Sequence, residues 1–210
     1  MTTPFEPHWL PWARHLQALA QTGLTYSQNP YDIERYEAVR QVAAEMMAAG
    51  SEGDVEWVLD LFAAEFGYAT PKVDTRGVVF QDDAILLVKE VSDGGWTLPG
   101  GWADVNDSPS EAVVREIYEE SGFQTRAVKL LAVYDRSKHP HTPAYPYHIY
   151  KMFFLCEIIG GVATISNETQ AIGFFREDEI PPLSISRITP GQIQRLFAHY
   201  HHPDWPADFD

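Results

Sequence analysis

The sequence predicts an α/β (α+β) domain preceded by a small helical N-terminal domain. Apolar residues recur at helical spacing through the first third of the chain. Near Ala69-Thr70-Pro71 that period stops, and apolar runs of strand length replace it. From there the patterns alternate as strand, strand, helix, strand, strand, helix, the order expected of a sheet covered by helices. The boundary divides the chain into a helical domain at residues 1–68 and a second domain at residues 69–210.

The first helix is predicted from Trp9, Trp12, Leu16 and Leu19, and the second from Ile33, Tyr36, Val39, Val42, Ala43, Met46 and Met47. Asn29 caps the second, with Pro30 at its first position, where a missing N–H costs nothing. Val55, Leu59, Phe62 and Phe66 predict a third helix ending at Gly67. Three amphipathic helices in so short a stretch bury little by themselves, so their apolar faces are expected to pack on the second domain or on a second copy, as a homodimer. In the second domain, Gly77–Phe80 and Ala84–Val88 flank Asp82-Asp83 and read as a hairpin. Further strands are predicted at Ala127–Tyr134 and Tyr147–Ile159, and a C-terminal helix at Pro190 to about Tyr200.

Composition narrows the function classes. At 45% hydrophobic and 21% charged residues, the chain has the means to build a core. Its net charge of −15, from 30 acidic and 15 basic residues, argues against a groove that tracks long nucleic acid. A small nucleotide remains an admissible partner if divalent cations mediate the contact. Cys156 is the only cysteine and lies in the apolar run Met152–Cys156, which predicts burial and excludes an intrachain disulfide. No apolar stretch approaches the ~18 residues of a membrane span, and no basic, apolar leader pattern opens the chain; no membrane partner and a cytoplasmic location are expected.

The chemistry concentrates between Gly100 and Phe123. Ser108 reads as an N-cap, Pro109 as the first helical residue, Glu111 as the other half of a capping box, and Gly122 as the left-handed C-terminal residue. On the resulting helix, Glu116, Glu119 and Glu120 share one face, and Arg115 lies four residues before Glu119. Like charges so placed repel by a few tenths of a kcal/mol per pair on an isolated helix, a cost that a hard divalent cation removes. Taken alone, the acids describe a solvated helix face. The preceding Leu98-Pro99-Gly100-Gly101 adds a glycine turn whose backbone can approach a ligand closely, which a solvent-facing helix does not need.

These residues resemble the Nudix box, G-x5-E-x7-R-E-U-x-E-E-x-G-U, with Gly101, Arg115, Glu116, Ile117, Glu119, Glu120, Gly122 and Phe123 in register. Asp107 departs from the pattern, standing where the family has Glu. The resemblance implies the Nudix fold, a mixed sheet sandwiched between helices. It also implies hydrolysis of a nucleotide phosphoanhydride with Mg²⁺, for which Mn²⁺ substitutes. Glu116 and Glu120 would be metal ligands, Glu119 a further ligand or water-holder, the Gly101 carbonyl another ligand, and Arg115 the residue that orients the acids. The general base is left between Glu116 and a carboxylate of a later loop, for which Glu168 is the candidate; Glu168 is equally well read as an exposed loop acid.

The resemblance extends through Trp9–Ala13, Leu19–Leu24, Tyr31–Glu37 and Gly67–Asp74 to a Nudix subgroup with a helical N-terminal domain. That subgroup includes CDP-choline pyrophosphatase and proteins called ADP-ribose pyrophosphatases, and its N-terminal helices are associated with dimers. CDP-choline is therefore the leading expected substrate, followed by ADP-ribose or a nucleotide sugar. Clean-up of a nucleoside triphosphate and a non-catalytic nucleotide sensor are the alternatives. Substrate contacts are expected from Arg136, Lys138, His139 and His141 to phosphate oxygens, with Trp96, Trp102 or Tyr147 stacking on a base or enclosing an ammonium group. His199, His201 and His202 lack the further ligands that a zinc site needs.

Overall fold

The computed structural model describes residues 6–51 and 53–210. The chain forms two compact units, one of Met1–Pro71 with Ala144–His148, the other of Lys72–Pro143 with Ile149–Asp210.

The first unit holds α1 (Trp9–Tyr26), α2 (Pro30–Ala49) and α3 (Val55–Ala63). Asn29 caps α2 by accepting the Tyr31 N–H, and Asp54 caps α3 by accepting that of Trp57, each satisfying a donor the helix cannot. Their shared core is Leu10, Ala13, Ala43, Ala44, Met47, Val58 and Phe62. The packed stripe of α1 runs through Leu10, Ala13, Gln17 and Ala20, so Trp12 and Leu19 point outward at 62% and 50% exposure. One expectation needs correction. The third helix ends at Ala63, with Glu65 N–H turning back to Phe62 O in a tighter bond, and Phe66 is exposed. Periodicity found both helices; it could not tell which of two neighbouring apolar stripes faces inward.

The second unit is built on β1 (Lys72–Gln81), β2 (Ala84–Glu90), β3 (Trp96–Thr97), β4 (Phe123–Asp135), β5 (Ile149–Gly161), β6 (Thr169–Phe175) and β7 (Asp208–Phe209), with α4 (Pro109–Ser121) and α5 (Pro190–His201). The predicted hairpin is β1–β2; Asp82 and Asp83 both have positive φ, as a two-residue turn between twisted strands requires. β1 pairs in parallel with β5, β5 antiparallel with β4, and β4 in parallel with β7, while β2 carries antiparallel β3 and β6. Strands β3, β6 and β7 escaped the sequence reading, and Tyr147 precedes β5, which starts at Ile149.

Alternation along β1 sends Val79 toward α4 and Val78 toward α5. Val113 and Ile117 of α4 pack with Val79, Leu86, Phe154 and Cys156. Ile193, Leu196 and Phe197 of α5 pack with Val78, Ile85, Leu131 and Phe153. The strands thus lie between two helices, and Cys156 is buried within this layer, as expected, with burial pushing its thiol up to about 12. Among the described residues no helix is long and apolar enough to cross a membrane.

Candidate functional site

The site is assembled from α4 and the segment that runs into it. Ser108 and Glu111 form the expected capping box, and Gly122 closes the helix at φ 75°, which fixes both ends of the turn-helix unit. Before it, the segment Pro99–Ala103 lies antiparallel along β1: Gly77 N–H donates to Pro99 O (2.8 Å), Thr75 N–H to Gly101 O (2.8 Å), and Ala103 N–H to Val73 O (3.0 Å). Gly100 has φ +143°, and a Cβ there would overlap the Thr75 carbonyl, so only glycine lets this segment lie so close to β1. A Cβ on Gly101 would stand 2.8 Å from a Glu116 carboxylate oxygen. The turn therefore brings bare backbone against the acidic face of α4.

Arg115 is the hub of that face. Its guanidinium bonds Asp107 (3.0 Å), Glu116 (2.9 Å) and Glu119 (3.1 Å) and lies 3.2 Å from Asp104. Asp107, the departure from the expected pattern, thus keeps a supporting contact to Arg115 despite its shorter side chain. Glu120 is buried and accepts the Gly100 N–H at 3.0 Å. Burial pushes Glu120 up to about 8, although the Arg76 guanidinium opposes the shift. Glu116 and Glu90 are raised by burial in the same direction. Among the described residues no three carboxylate, imidazole or thiol groups converge on one point: Glu116 and Glu119 turn to Arg115, and Glu120 to Gly100. The donor set nonetheless fits a hard divalent cation, because it is all oxygen and because burial makes the charges of Glu116 and Glu120 costly until a cation stands against them.

Glu168 lies close by and exposed, with its carbonyl accepting the Val91 N–H. The next residue, Thr169, donates to the Glu120 carbonyl at 2.9 Å. The loop that leads into β6 and the C-terminal end of α4 are therefore tied together. Trp102 is bridged to Asp74 of β1 and is 43% exposed beside the turn. Trp96 packs edge-on against Phe175 at 4.7 Å.

The loop after β4 divides its candidates. Arg136 is buried, its guanidinium donating to the carbonyls of Pro143 (2.9 Å) and Ser186 (3.3 Å). Lys138 is exposed, and His139 contacts Asp210 at 3.3 Å while its ring lies 4.4 Å from that of Tyr134. His141 is buried against the Ile185 carbonyl (3.0 Å). Tyr147 belongs to the helical unit, where its ring lies 5.9 Å from Tyr145 and burial, with the Glu65 carboxylate, pushes its hydroxyl up to about 12. The C-terminal histidines go to separate partners, His199 to Asp208 (3.2 Å), His201 to Glu177 (3.8 Å) and His202 to the Trp205 ring.

Burial, reinforced by Lys151 and Arg136, pushes His141 down to about 3. A depressed imidazole lends stability that is complete above its ordinary value of about 6.5 and is lost as pH falls from there toward 3. At pH 5 the loss from this group is expected to be about 2 kcal/mol. His141→Asn, which keeps a donor near Ile185, should lack that loss. Urea unfolding of both proteins at pH 7 and pH 5 is the check; equal acid losses would refute the assignment.

Sequence reasoning missed a buried charged group beneath the turn. Arg76 bonds Asp74 through two nitrogens (2.9 and 2.7 Å) and donates to the Leu98 carbonyl (3.2 Å), while Lys151 donates to Asp74 (2.7 Å). The mutual attraction holds Asp74 well below the usual carboxylate range and raises Arg76, while burial brings Lys151 down to about 8. The available signal was two charged residues, Asp74 and Arg76, at alternate positions of a strand that runs on into the apolar Val78-Val79-Phe80. Glu90 was missed as well; it pairs with Arg187 (3.1 Å), and both it and Glu120 lie in the field of Arg76.

Comparison with known proteins agrees with this geometry. Residues 71–196 match the NUDIX domain family, and residues 7–62 match the family described as "UDP-X-like, N-terminal oligomerisation domain". YjhB of Bacillus subtilis, provisionally named an ADP-ribose pyrophosphatase, is 48% identical over 202 residues, covering 96% of this chain and 97% of its own. A crystal structure of a UDP-X diphosphatase is similar at 33% identity and a TM-score of 0.63, over 96% of this chain and 98% of that one. The Streptococcus suis ADP-ribose pyrophosphatase structure matches at 39% identity and a TM-score of 0.60, over 67% of this chain and all of that one (100%). With the box residues gathered on α4 against a glycine turn and the family match spanning most of the chain, this protein belongs to the Nudix family.

Proposed function

We propose that the chain is a divalent-metal-dependent pyrophosphohydrolase that cleaves the diphosphate of a nucleoside diphosphate linked to a second group. The observation that carries this reading is the acidic face of α4 lying against the bare backbone of Gly100 and Gly101. Glu116 and Glu120 are the proposed metal-holding carboxylates, with Glu119 and the Gly101 carbonyl as further donors. Mg²⁺ is the proposed ion, with Mn²⁺ as a substitute. A bound ion would neutralise phosphate charge and acidify a water molecule. Arg115 restrains the acids through its shared ion pairs and returns them to one geometry when they bind. Glu168, on the loop tied to Glu120 through Thr169, is the proposed proton acceptor in place of Glu116, since Glu116 is paired with Arg115 and is already assigned to the metal.

ADP-ribose and CDP-choline are the two substrates to separate. The resemblance of the N-terminal helices to the choline-nucleotide subgroup favours CDP-choline. The names carried by YjhB and by the Streptococcus suis protein favour ADP-ribose, and the UDP-X diphosphatase widens the choice of base. Lys138, His139 and Trp102 remain the proposed substrate contacts on the catalytic unit; Arg136 and His141 act there through the loop whose carbonyls they hold. A homodimer through the helical domain, residues 1–68, is supported by the outward Trp12, Leu19, Val42 and Trp57. The catalytic domain is taken as residues 69–210, and the cytoplasm as its compartment.

Product analysis with ADP-ribose, CDP-choline and a nucleoside triphosphate, each with Mg²⁺ and with excess chelator, tests the reaction class. Two monophosphate products, formed only with metal, are expected from a diphosphate substrate. Pyrophosphate release from the triphosphate as the faster reaction would replace this reading with triphosphate clean-up.

A further inference from the structure

The buried group formed by Asp74, Arg76 and Lys151 lies outside the box yet is linked to it by an unbroken series of contacts. Lys151 and Arg76 both grip Asp74, and the remaining Arg76 nitrogen reaches the Leu98 carbonyl, two residues before Gly100. The backbone on either side of Arg76 clasps the same turn, through Thr75 N–H to Gly101 O and Gly77 N–H to Pro99 O. The Gly100 N–H then donates to the Glu120 carboxylate. Arg76 is 4% exposed, Asp74 6% and Lys151 2%.

Three charges taken out of water cost more than an apolar trio of the same volume, so their mutual pairing does not explain their presence as a stabilising device. Their geometry does supply something an apolar trio cannot, a fixed donor aimed at the Leu98 carbonyl. The cluster carries one negative and two positive charges, and the surplus positive charge lies within electrostatic reach of Glu120, Glu90 and Glu116. From these contacts we infer that Arg76, anchored by Asp74 and Lys151, is a positioning residue that sets the Leu98–Gly101 turn and thereby the orientation of the Glu120 carboxylate toward a metal ion. The inference rests on the proposed metal-dependent reaction and adds to it a support layer on β1 and β5.

Arg76→Lys keeps the charge and removes the planar fork, so it cannot hold both Asp74 oxygens and Leu98 together. Supporting contacts behind metal ligands are typically worth tenfold or more in metal affinity or activity. In the full-length variant, Mn²⁺ affinity read by electron paramagnetic resonance should fall about tenfold or more. kcat should fall by a similar factor, while KM for the diphosphate substrate changes by less than about threefold, since Arg76 does not face the substrate. If Arg76→Lys does not fold, the pair Asp74→Asn with Lys151→Met removes one charge of each sign and dismantles the same anchor. Its Mn²⁺ affinity should fall in the same way. Folded variants with wild-type Mn²⁺ affinity and wild-type kcat would overturn the inference alone. A wild-type protein that neither binds Mn²⁺ nor turns over would overturn the functional reading on which it rests.

Discussion

Glu120→Gln is expected to lower turnover by about two orders of magnitude or more while leaving the metal-free protein at least as stable as wild type. The two effects have one origin. Glu120 is buried, and burial raises its carboxyl to about 8. A carboxyl raised above its unfolded value binds its proton more tightly when folded, so ionising it costs stability increasingly as pH rises from about 4.5 to about 8. Glutamine is neutral, preserves an oxygen to accept the Gly100 N–H, and escapes that cost. It also removes one of the anionic donors on which a divalent cation would depend. Thermal melts without metal at pH 8, beside turnover with Mg²⁺, check both halves. A variant with wild-type turnover would show that the wrong acids have been chosen.

Gly100→Ala should be the most damaging single-methyl change in the catalytic unit. At φ +143° a Cβ is strained in any surroundings, and here it would also overlap the Thr75 carbonyl and stand 2.9 Å from the Arg76 Cα, both of them backbone. Neither can yield without parting the turn from β1, so a loss of roughly 2–4 kcal/mol is expected, with little activity in the fraction that folds. Gly94 supplies the control. It also has positive φ, at +68°, but a Cβ there meets nothing within 4 Å, and Gly94→Ala should cost only about 1 kcal/mol. Urea denaturation of the two variants decides the matter; equal costs would mean that the close packing of the turn on β1 does not hold in solution.

The contrast between these glycines also shows what was legible in the sequence. The capping box at Ser108 and Glu111 and the left-handed Gly122 follow from local rules, and both appear as read; the helical spacing of Glu116, Glu119 and Glu120 was equally legible, but not that Glu116 and Glu119 turn to Arg115 while Glu120 is buried against Gly100. The β1–β2 hairpin was equally plain, since paired aspartates between apolar runs leave few alternatives. Short strands such as β3 and β7, two residues each, have no period to detect and exist only because a partner strand is present. The spacing of Trp9, Trp12, Leu16 and Leu19 marked α1, but Trp12 and Leu19 are exposed while Leu10 and Ala13 face the core, and a sequence pattern cannot distinguish a core face from an interface. Arg136 and His141 read as ligand-seeking cations and imidazoles. Their burial against carbonyls of Pro143, Ser186 and Ile185 depends on contacts up to 50 residues away in the chain. Asp74 and Arg76 left a trace at alternate positions of β1, but their union with Lys151 was invisible for the same reason: Asp74 and Lys151 become neighbours only through the parallel pairing of β1 with β5.

The most direct test of the account is phosphorus NMR of the purified protein with Mg²⁺ and an equimolar mixture of ADP-ribose and CDP-choline, following each diphosphate signal with time. At least one pair of diphosphate resonances is expected to decay into two monophosphate signals, and excess chelator is expected to halt the decay. Both diphosphates persisting unchanged beside an active Mg²⁺-loaded sample of a known pyrophosphohydrolase would contradict it.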